Sequence, residues 1–250
     1  MTNNTEELSN RLYINLSENK TMDRLNSKWS QKILNKIDPN FRHRWELYDN
    51  AVKNYLDDHT LWIDCGCGNN EMVKEFSKLS GYAVGVDTEI SNEYKERFIK
   101  ANIKKLPFHK ESIDVITLRF VVEHFEEAEN YLSELQGILK NNGKIIFITT
   151  NILCPLIFIP KYIPFFIKAL LLNKIFKVRH DDIYPTSHRF NSVDKIKGNR
   201  YFELVKVEFI SDLNYTRKSI FLIFLVWHIL TMPVFMQKYR TNILAILKKK

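Results

Sequence analysis

The sequence predicts an α/β protein built on a doubly wound, mostly parallel sheet with helices on both faces. Three observations predict it: strand-like and helix-like segments alternate over residues 61–150, a glycine-containing turn follows the first strand, and Ile145–Ile148 is apolar on both faces. Residues 1–60 are predicted to form a polar N-terminal helical segment, and residues 151–250 an apolar, basic C-terminal region. The α/β core is therefore expected between these two parts.

The individual elements follow from the spacing of apolar residues. Short apolar runs bounded by turn residues predict strands at Leu61–Ile63, Tyr82–Val86, Ile113–Phe120 and Ile145–Ile148. Helical spacing predicts helices directly after the first strand, at Glu93–Lys100, and from Ala128 to Leu139. In the C-terminal region, we expect a half-buried strand at Val205–Phe209 and an apolar helix at Ile220–Met236.

Charge is distributed unevenly along the chain. From residue 151 onward there are 17 Lys and Arg against 6 Asp and Glu, which leaves 20 against 23 in residues 1–150. A basic surface attracts phosphate in nucleic acid, anionic lipid or a phosphorylated substrate, although it can also serve solubility alone. The three cysteines, Cys65, Cys67 and Cys154, fit neither a disulfide framework nor a zinc site, so we predict no metal. Without an apolar signal run in the first 30 residues, a cytoplasmic protein is expected.

The segment Asp64-Cys65-Gly66-Cys67-Gly68-Asn69-Asn70 predicts a nucleotide-binding turn. Gly66 and Gly68 allow a tight bend and a close approach of the backbone to a ligand. A pyrophosphate would be repelled by Asp64 and by Glu71, which stands where a dinucleotide site has its third glycine. Those carboxylates suit an amino group and a positive sulfonium, and Asp87, 19 residues after Gly68, can accept hydrogen bonds from a ribose diol.

An ordered set of motifs over residues 60–150 resembles the class I S-adenosylmethionine-dependent methyltransferases, particularly their small-molecule branch. The set comprises LWIDCGCGNN from Leu61, Gly85-Val86-Asp87, Leu106-Pro107-Phe108 with Ser112-Ile113-Asp114-Val115, Val122-Glu123-His124-Phe125 and Leu139-Lys140-Asn141-Asn142-Gly143-Lys144.

The resemblance implies a Rossmann-like, seven-stranded sheet whose last strand is antiparallel, with S-adenosyl-L-methionine as the cofactor. Asn102 stands where the family often has an Asp facing the adenine amino group, and its amide oxygen can still accept that bond. The implied cofactor-binding residues are Asp64, Gly66, Cys67, Gly68, Asp87, Thr88, Asn102, Ile103 and Phe120.

Two groups of residues are candidates for handling the acceptor. His124 follows the fourth strand at the carboxyl edge of the sheet, where it could remove a hydroxyl proton, while its neighbour Glu123 is expected to brace the loop. The second group either covers the site and supplies a base, His180 or His188, or is a solvated loop. Its members are His180, Asp181, Asp182, Tyr184, His188 and Arg189.

The apolar segments of the C-terminal region predict contact with a membrane surface. Residues 152–172 hold three prolines, and Ile220–Met236 is 17 residues long, at the lower limit for spanning a bilayer. Lys and Arg flank the second segment, as in a peripheral contact with anionic lipid at the inner face of the membrane. A buried core helix or a dimer interface is the alternative. The order of these features also resembles methyltransferases associated with polysaccharide and lipid-linked glycan synthesis.

These expectations combine into an enzyme that O-methylates a lipid-linked or amphipathic acceptor, such as a glycan intermediate. The alternatives are a C-methyltransferase of a quinone or isoprenoid lipid and a non-catalytic S-adenosylmethionine-binding regulatory protein. Nucleic acid is an unlikely partner because the sequence has no Pro-Pro-Tyr base-flipping motif.

Overall fold

The computed structural model describes residues 20–89, 95–161, 186–215 and 217–250, and one seven-stranded sheet forms its centre. The strand order is β3-β2-β1-β4-β5-β7-β6, with β7 antiparallel to both of its neighbours and the other pairs parallel. The strands are β1 Leu61–Cys65, β2 Tyr82–Asp87, β3 Phe98–Lys100, β4 Ile113–Arg119, β5 Leu139–Thr150, β6 Phe202–Ile210 and β7 Asn242–Lys249. The doubly wound sheet and its antiparallel last strand are both confirmed.

Helices cover both faces of the sheet. Neighbouring residues of a strand point to opposite sides, and here both sides carry apolar side chains that have to be covered. The side chains of Trp62 and Ile63 belong to two different core clusters. The described helices are α1 Lys20–Ile37, α2 Arg44–Lys53, α3 Glu71–Phe76, α4 Ala128–Ile138, α5 Pro155–Lys161, α6 Val193–Lys197 and α7 Lys218–Leu230, with short 3-10 helices at Ser77–Leu79, Val122–His124 and Val234–Tyr239. On one face α4 packs against β-strand side chains, and on the other α2 and α3 do so.

The C-terminal region contributes to the same sheet. β6 and β7 come from residues beyond 200 and pair through β7 with β5, so the sheet extends past residue 150. A third apolar cluster joins α1 to α7 through Leu34, Leu213, Phe221 and Leu225. The antiparallel last strand was expected but its position was not, and the sequence of β7, NILAILKK, is apolar where the sheet buries it.

Two local predictions are wrong. Phe98–Lys100, predicted as the end of a helix, is the edge strand β3, which pairs with Gly85–Asp87. The C-terminal helix stops at Leu230 rather than reaching Met236, since Pro233 has no amide hydrogen to continue it. Residues 90–94 and 162–185 lie outside the described part of the chain.

Candidate active site

Polar groups gather where β1, β2 and β4 end at the same edge of the sheet, and this group is called the site below. The turn after β1 is held against β2, because the backbone amides of Gly66 and Cys67 donate to the carbonyl of Val86 at 2.7 and 3.2 Å. The amide of Gly68 donates to the Asp87 carboxylate at 2.9 Å. The predicted turn and the predicted ribose-binding acid are therefore brought together.

The two glycines of the turn have different reasons to be glycine. Gly66 has φ +73°, and a Cβ atom there would stand 2.3 Å from a methyl carbon of Val121, at the end of β4. Gly68 has φ +54°, and a Cβ there would meet no heavy atom within 4 Å. The left-handed backbone favours glycine at both positions, and the side of the turn at Gly68 is open enough for a ligand.

Asp64 is a buried carboxylate, and only one of its two oxygens has a hydrogen-bond partner among the described residues. Its Oδ1 accepts a 2.6 Å hydrogen bond from the Thr117 hydroxyl, which in turn accepts from the Trp62 indole at 2.9 Å. Its Oδ2 is buried and has no hydrogen-bond partner among the described residues. Burial raises the pKa of Asp64 to about 6, and the charge of Arg119 offsets part of that effect. An oxygen in this situation is satisfied by a positively charged donor.

The remaining predicted cofactor residues lie at the ends of β2 and β3 or just after them. Asp87 Oδ1 accepts from the Thr88 hydroxyl at 3.4 Å and from the Glu89 amide at 3.3 Å. Asn102 follows β3, and its side-chain oxygen accepts from the Lys104 amide at 2.9 Å. Ile103 is half-buried against the core. The amide oxygen of Asn102 has a second lone pair, so it can still receive an adenine amino group.

Phe120, just after β4, contacts the helix α2. Its backbone is left-handed, with φ +57°, and its ring meets Trp45 edge to face at a centroid distance of 5.5 Å. The Arg44 guanidinium lies 4.5 Å from the Trp45 ring centre and 4.9 Å from that of Phe120. Arg44 and Trp45 of α2 therefore form an aromatic and cationic layer against Phe120.

Several residues around Asp64 were not predicted from the sequence. Thr117 and Trp62, which orient Asp64, lie inside strands, where a polar atom in an apolar run is only a weak signal. Arg119 was detectable as a charge at the end of a buried strand. Tyr48, on α2, is fully buried, and burial together with nearby Asp64 raises the pKa of its hydroxyl; nothing local predicted that placement.

The first acceptor candidate, His124, ends the 3-10 helix that follows β4, and it is half-buried. Glu123 beside it is buried, accepts a 2.6 Å bond from the Thr149 hydroxyl, and has its pKa raised by burial. The backbone carbonyl of Glu123 accepts from the amides of Ser187 and His188 at 2.8 and 3.1 Å. Glu123 thus ties β5 and the segment 186–188 to the loop, which is a bracing arrangement.

The second acceptor candidate, His188, is buried in a left-handed conformation with φ +52°. The side-chain amide nitrogen of Asn191 donates to its Nδ1 at 2.8 Å, which leaves Nε2 to donate to the Thr186 hydroxyl at 2.8 Å. To remove a proton, His188 has to exchange one of these bonds. Arg189 is exposed, whereas His180, Asp181, Asp182 and Tyr184 lie outside the described residues.

Comparison with known proteins identifies the domain. Residues 63–147 match the family model described as a methyltransferase domain, which spans β1 to most of β5. A demethylmenaquinone methyltransferase from Lactococcus lactis is 24% identical over 164 residues, covering 53% of this chain and 63% of that protein. A ubiquinone biosynthesis O-methyltransferase from Pelagibacter ubique is 30% identical over 98 residues, covering 35% and 40%. The chain therefore spans less than two thirds of the length of these curated relatives.

Solved structures extend the similarity of the fold. A geranyl diphosphate C-methyltransferase from Streptomyces coelicolor, in complex with S-adenosyl-L-homocysteine, superimposes with a TM-score of 0.51 at 15% identity, covering 82% of this chain and 79% of that one. With the family match over residues 63–147, this confirms the predicted class I methyltransferase fold.

Proposed function

We propose that this chain, whose residues 63–147 form a class I S-adenosylmethionine-dependent methyltransferase domain, O-methylates a lipid-linked or otherwise amphipathic acceptor such as a glycan intermediate. We place the reaction in the cytoplasm, at the inner face of the membrane. The three described cysteines are free and buried, which is compatible with a reducing compartment.

Two observations carry the cofactor part of the proposal: Oδ2 of Asp64 is buried with no hydrogen-bond partner among the described residues, and the turn at Gly68 is open. The amino group and the sulfonium of the cofactor are both positive, and they are suited to that oxygen. Asp87 would receive the ribose diol, and Asn102 with Ile103 would flank the adenine. When bound, S-adenosylmethionine supplies an electrophilic methyl group.

The residues of the chain then have to place a nucleophile and remove its proton. An acceptor hydroxyl forms the new oxygen–carbon bond, and its proton passes to a base. His124 suits this role in two respects: it is half-buried, and its 3-10 helix begins next to Val121, which packs on Gly66. Glu123 and Thr149 hold that helix in position.

C-methylation of a quinone or isoprenoid lipid is the second candidate. The names of a demethylmenaquinone methyltransferase and a geranyl diphosphate C-methyltransferase among the similar proteins favour it. Both candidates share an apolar acceptor, and they differ in the atom that is methylated and in the need for a base at a hydroxyl.

Calorimetry with S-adenosylmethionine and S-adenosylhomocysteine tests the cofactor site. We expect Asp64→Asn and Asp87→Asn to weaken binding at least tenfold, because each removes a charged acceptor, worth ~1.5–3 kcal/mol. Asp58→Asn is the matched control, since Asp58 is an exposed carboxylate in the loop before β1. Unchanged binding in the Asp64 and Asp87 variants would remove the basis of the proposal.

Transfer of a labelled methyl group tests the acceptor. The purified protein is incubated with labelled S-adenosylmethionine and with lipid-linked glycan or quinone fractions of a membrane extract, and mass spectrometry locates the added methyl group. O-methylation predicts label on a hydroxyl oxygen and at least a hundredfold slower transfer by His124→Gln with unchanged cofactor affinity. Label on carbon, at a rate that His124→Gln leaves unchanged, supports the second candidate instead.

A further inference from the structure

We propose that the outward face of α7 and the 3-10 helix after it form a docking surface for an anionic lipid bilayer. This surface, called the α7 face below, consists of Leu222, Ile223, Val226, Ile229, Leu230, Val234 and Phe235. The inference deepens the proposed placement at the membrane by naming the surface that contacts lipid, and it does not require a bound cofactor.

The helix α7 is apolar on two opposite sides. Phe221, Leu225 and His228, spaced four and three residues apart, point inward and are buried. On the other side, Ile223 and Val226 are 56% and 55% exposed. A helix that only filled the core would carry polar side chains on its outer side, so this outer side needs another explanation.

The tip of the surface is the most exposed apolar part of the described chain. Val234 and Phe235, after Pro233, are 83% and 75% exposed. The tip is nevertheless held in place, since the Trp227 indole donates to the carbonyl of Tyr239 at 3.0 Å and the Arg240 guanidinium donates to that of Thr231 at 3.3 Å. A fixed, exposed valine–phenylalanine pair is suited to insertion among lipid headgroups and acyl chains.

The charged residues around the α7 face favour an anionic bilayer. Residues 217–240 contain no Asp or Glu, and they contain Arg217, Lys218, Lys238 and Arg240. Basic residues at the edge of an apolar face add to binding where the lipid surface is negative. These basic residues also argue against a two-fold dimer through the α7 face, because such a dimer would bring two basic edges together.

A shallow groove continues the surface toward α5. Its lining is Leu156 from α5 and Leu222, Ile223, Val226 and Trp227 from α7, and its volume is about 370 Å³. None of the helices in the described residues is long and apolar enough to cross a membrane. We place acyl chains of the bilayer against this groove, because its lining is apolar.

Flotation with lipid vesicles tests the docking without cofactor or acceptor. The full chain is mixed with vesicles of phosphatidylcholine alone or of phosphatidylcholine with phosphatidylglycerol. We expect binding to the anionic vesicles, at least tenfold weaker binding by the double variant Val234→Glu/Phe235→Glu, and weaker binding by Lys218→Gln/Lys238→Gln. Leu79→Glu is the matched control, because Leu79 is an exposed leucine, 44% accessible, in the 3-10 helix after α3.

Circular dichroism establishes that each variant is folded before flotation. The proposal is overturned if the wild-type chain does not float with anionic vesicles, or if the double variant floats equally well. It is also overturned if light scattering shows a dimer that the double variant dissociates while neither protein binds vesicles, since the α7 face is then a subunit interface. Cofactor binding, measured separately by calorimetry, distinguishes failure of docking from failure of the methyltransferase proposal.

Discussion

The edge of the sheet at Asp64 and the outward face of α7 differ in which groups are left without a partner among the described residues: a polar atom at the edge, and apolar side chains on the α7 face. At the edge, one buried carboxylate oxygen has no partner among the described residues, although the groups around it are fixed by hydrogen bonds. On the α7 face, apolar side chains such as Ile223 and Phe235 are exposed to water. The first region lacks a charged donor, and the second lacks an apolar covering.

The difference determines how specific each region can be. A hydrogen-bonded carboxylate in a buried site is directional, so it discriminates between ligands by geometry and charge. Apolar contact is roughly proportional to area and has no direction, so it accepts any apolar partner of suitable extent. We therefore expect one defined cofactor at the edge and a broad surface, such as a bilayer, at the α7 face.

The largest effect that separates the two regions should come from Gly66→Ala. The added Cβ atom would stand 2.3 Å from Val121, on a backbone with φ +73°, so the turn has to move. We expect S-adenosylmethionine binding to fall by about a hundredfold or more, measured by calorimetry, while vesicle binding stays unchanged.

Gly137→Ala is the control for this variant. Gly137 lies in α4, where a Cβ atom meets nothing within 4 Å, so alanine should stabilise the protein by about 0.5–1 kcal/mol and leave cofactor affinity unchanged. Wild-type affinity in Gly66→Ala would mean that the turn does not shape the cofactor site.

A second effect concerns His43, which lies between the two regions. Its ring stands 6.4 Å from that of Trp45, near the edge, and 6.3 Å from that of Tyr215, which stacks on Phe221 of α7. Its side chain accepts the amide hydrogen of Trp45 at the start of α2, and burial lowers its pKa from 6.5 to about 4. The folded state therefore needs this imidazole neutral.

The unfolded chain binds a proton at His43 below pH 6.5, whereas the folded chain does so only near pH 4. Stability is consequently lost as the pH falls through this window, by at most about 1.4 kcal/mol per pH unit. Urea unfolding of the wild type and of His43→Asn, which keeps an acceptor, should show a shallower pH dependence in the variant. Parallel curves would show that His43 does not contribute to this acid sensitivity.

The third effect is the pH dependence of cofactor binding at the Asp64 edge. The pKa of Asp64 is about 6 in the chain without ligand, and a positive cofactor favours the ionised carboxylate. Affinity for S-adenosylmethionine should therefore be level above pH 6 and fall up to tenfold per pH unit below it, until the carboxyl is protonated in the complex as well. In Asp64→Asn the binding should be weak and independent of pH over this range. The same slope in both proteins would assign the titration to another group.

Much of the edge could be predicted because its residues lie within short, ordered motifs. Asp64, Gly66, Gly68 and Asp87 each follow or end a strand whose apolar run is visible, and parallel strands bring their carboxyl ends together. Thr117 and Tyr48 could not be predicted, because their roles depend on which side chains meet across strands and helices. Tertiary pairing of that kind leaves no periodic pattern in the sequence.

The C-terminal region was harder to predict, also because its structure depends on contacts between distant segments of the chain. The apolar run at Ile220–Met236 was visible, but Pro233 ends its helix early and only the packing of Phe221 and Leu225 shows which side is buried. The position of the strand β7 was missed because its partners, β5 and β6, are about 100 and 40 residues earlier in the chain. Membrane contact and the catalytic histidines stay predictions.

The smallest expected effect is the most informative about the α7 face. Ile223→Ala removes an apolar side chain that is 56% exposed, and it should change the free energy of unfolding by no more than about 0.5 kcal/mol. Leu225→Ala, two residues along the same helix and 4% exposed, should cost about 2–5 kcal/mol, because it leaves a cavity. Chemical denaturation of both variants measures the difference. A near-zero result at Ile223 would show that its side chain contributes little to the fold, as expected for the α7 face; a loss as large as that of Leu225→Ala would mean that the outer side of α7 is already packed within the chain.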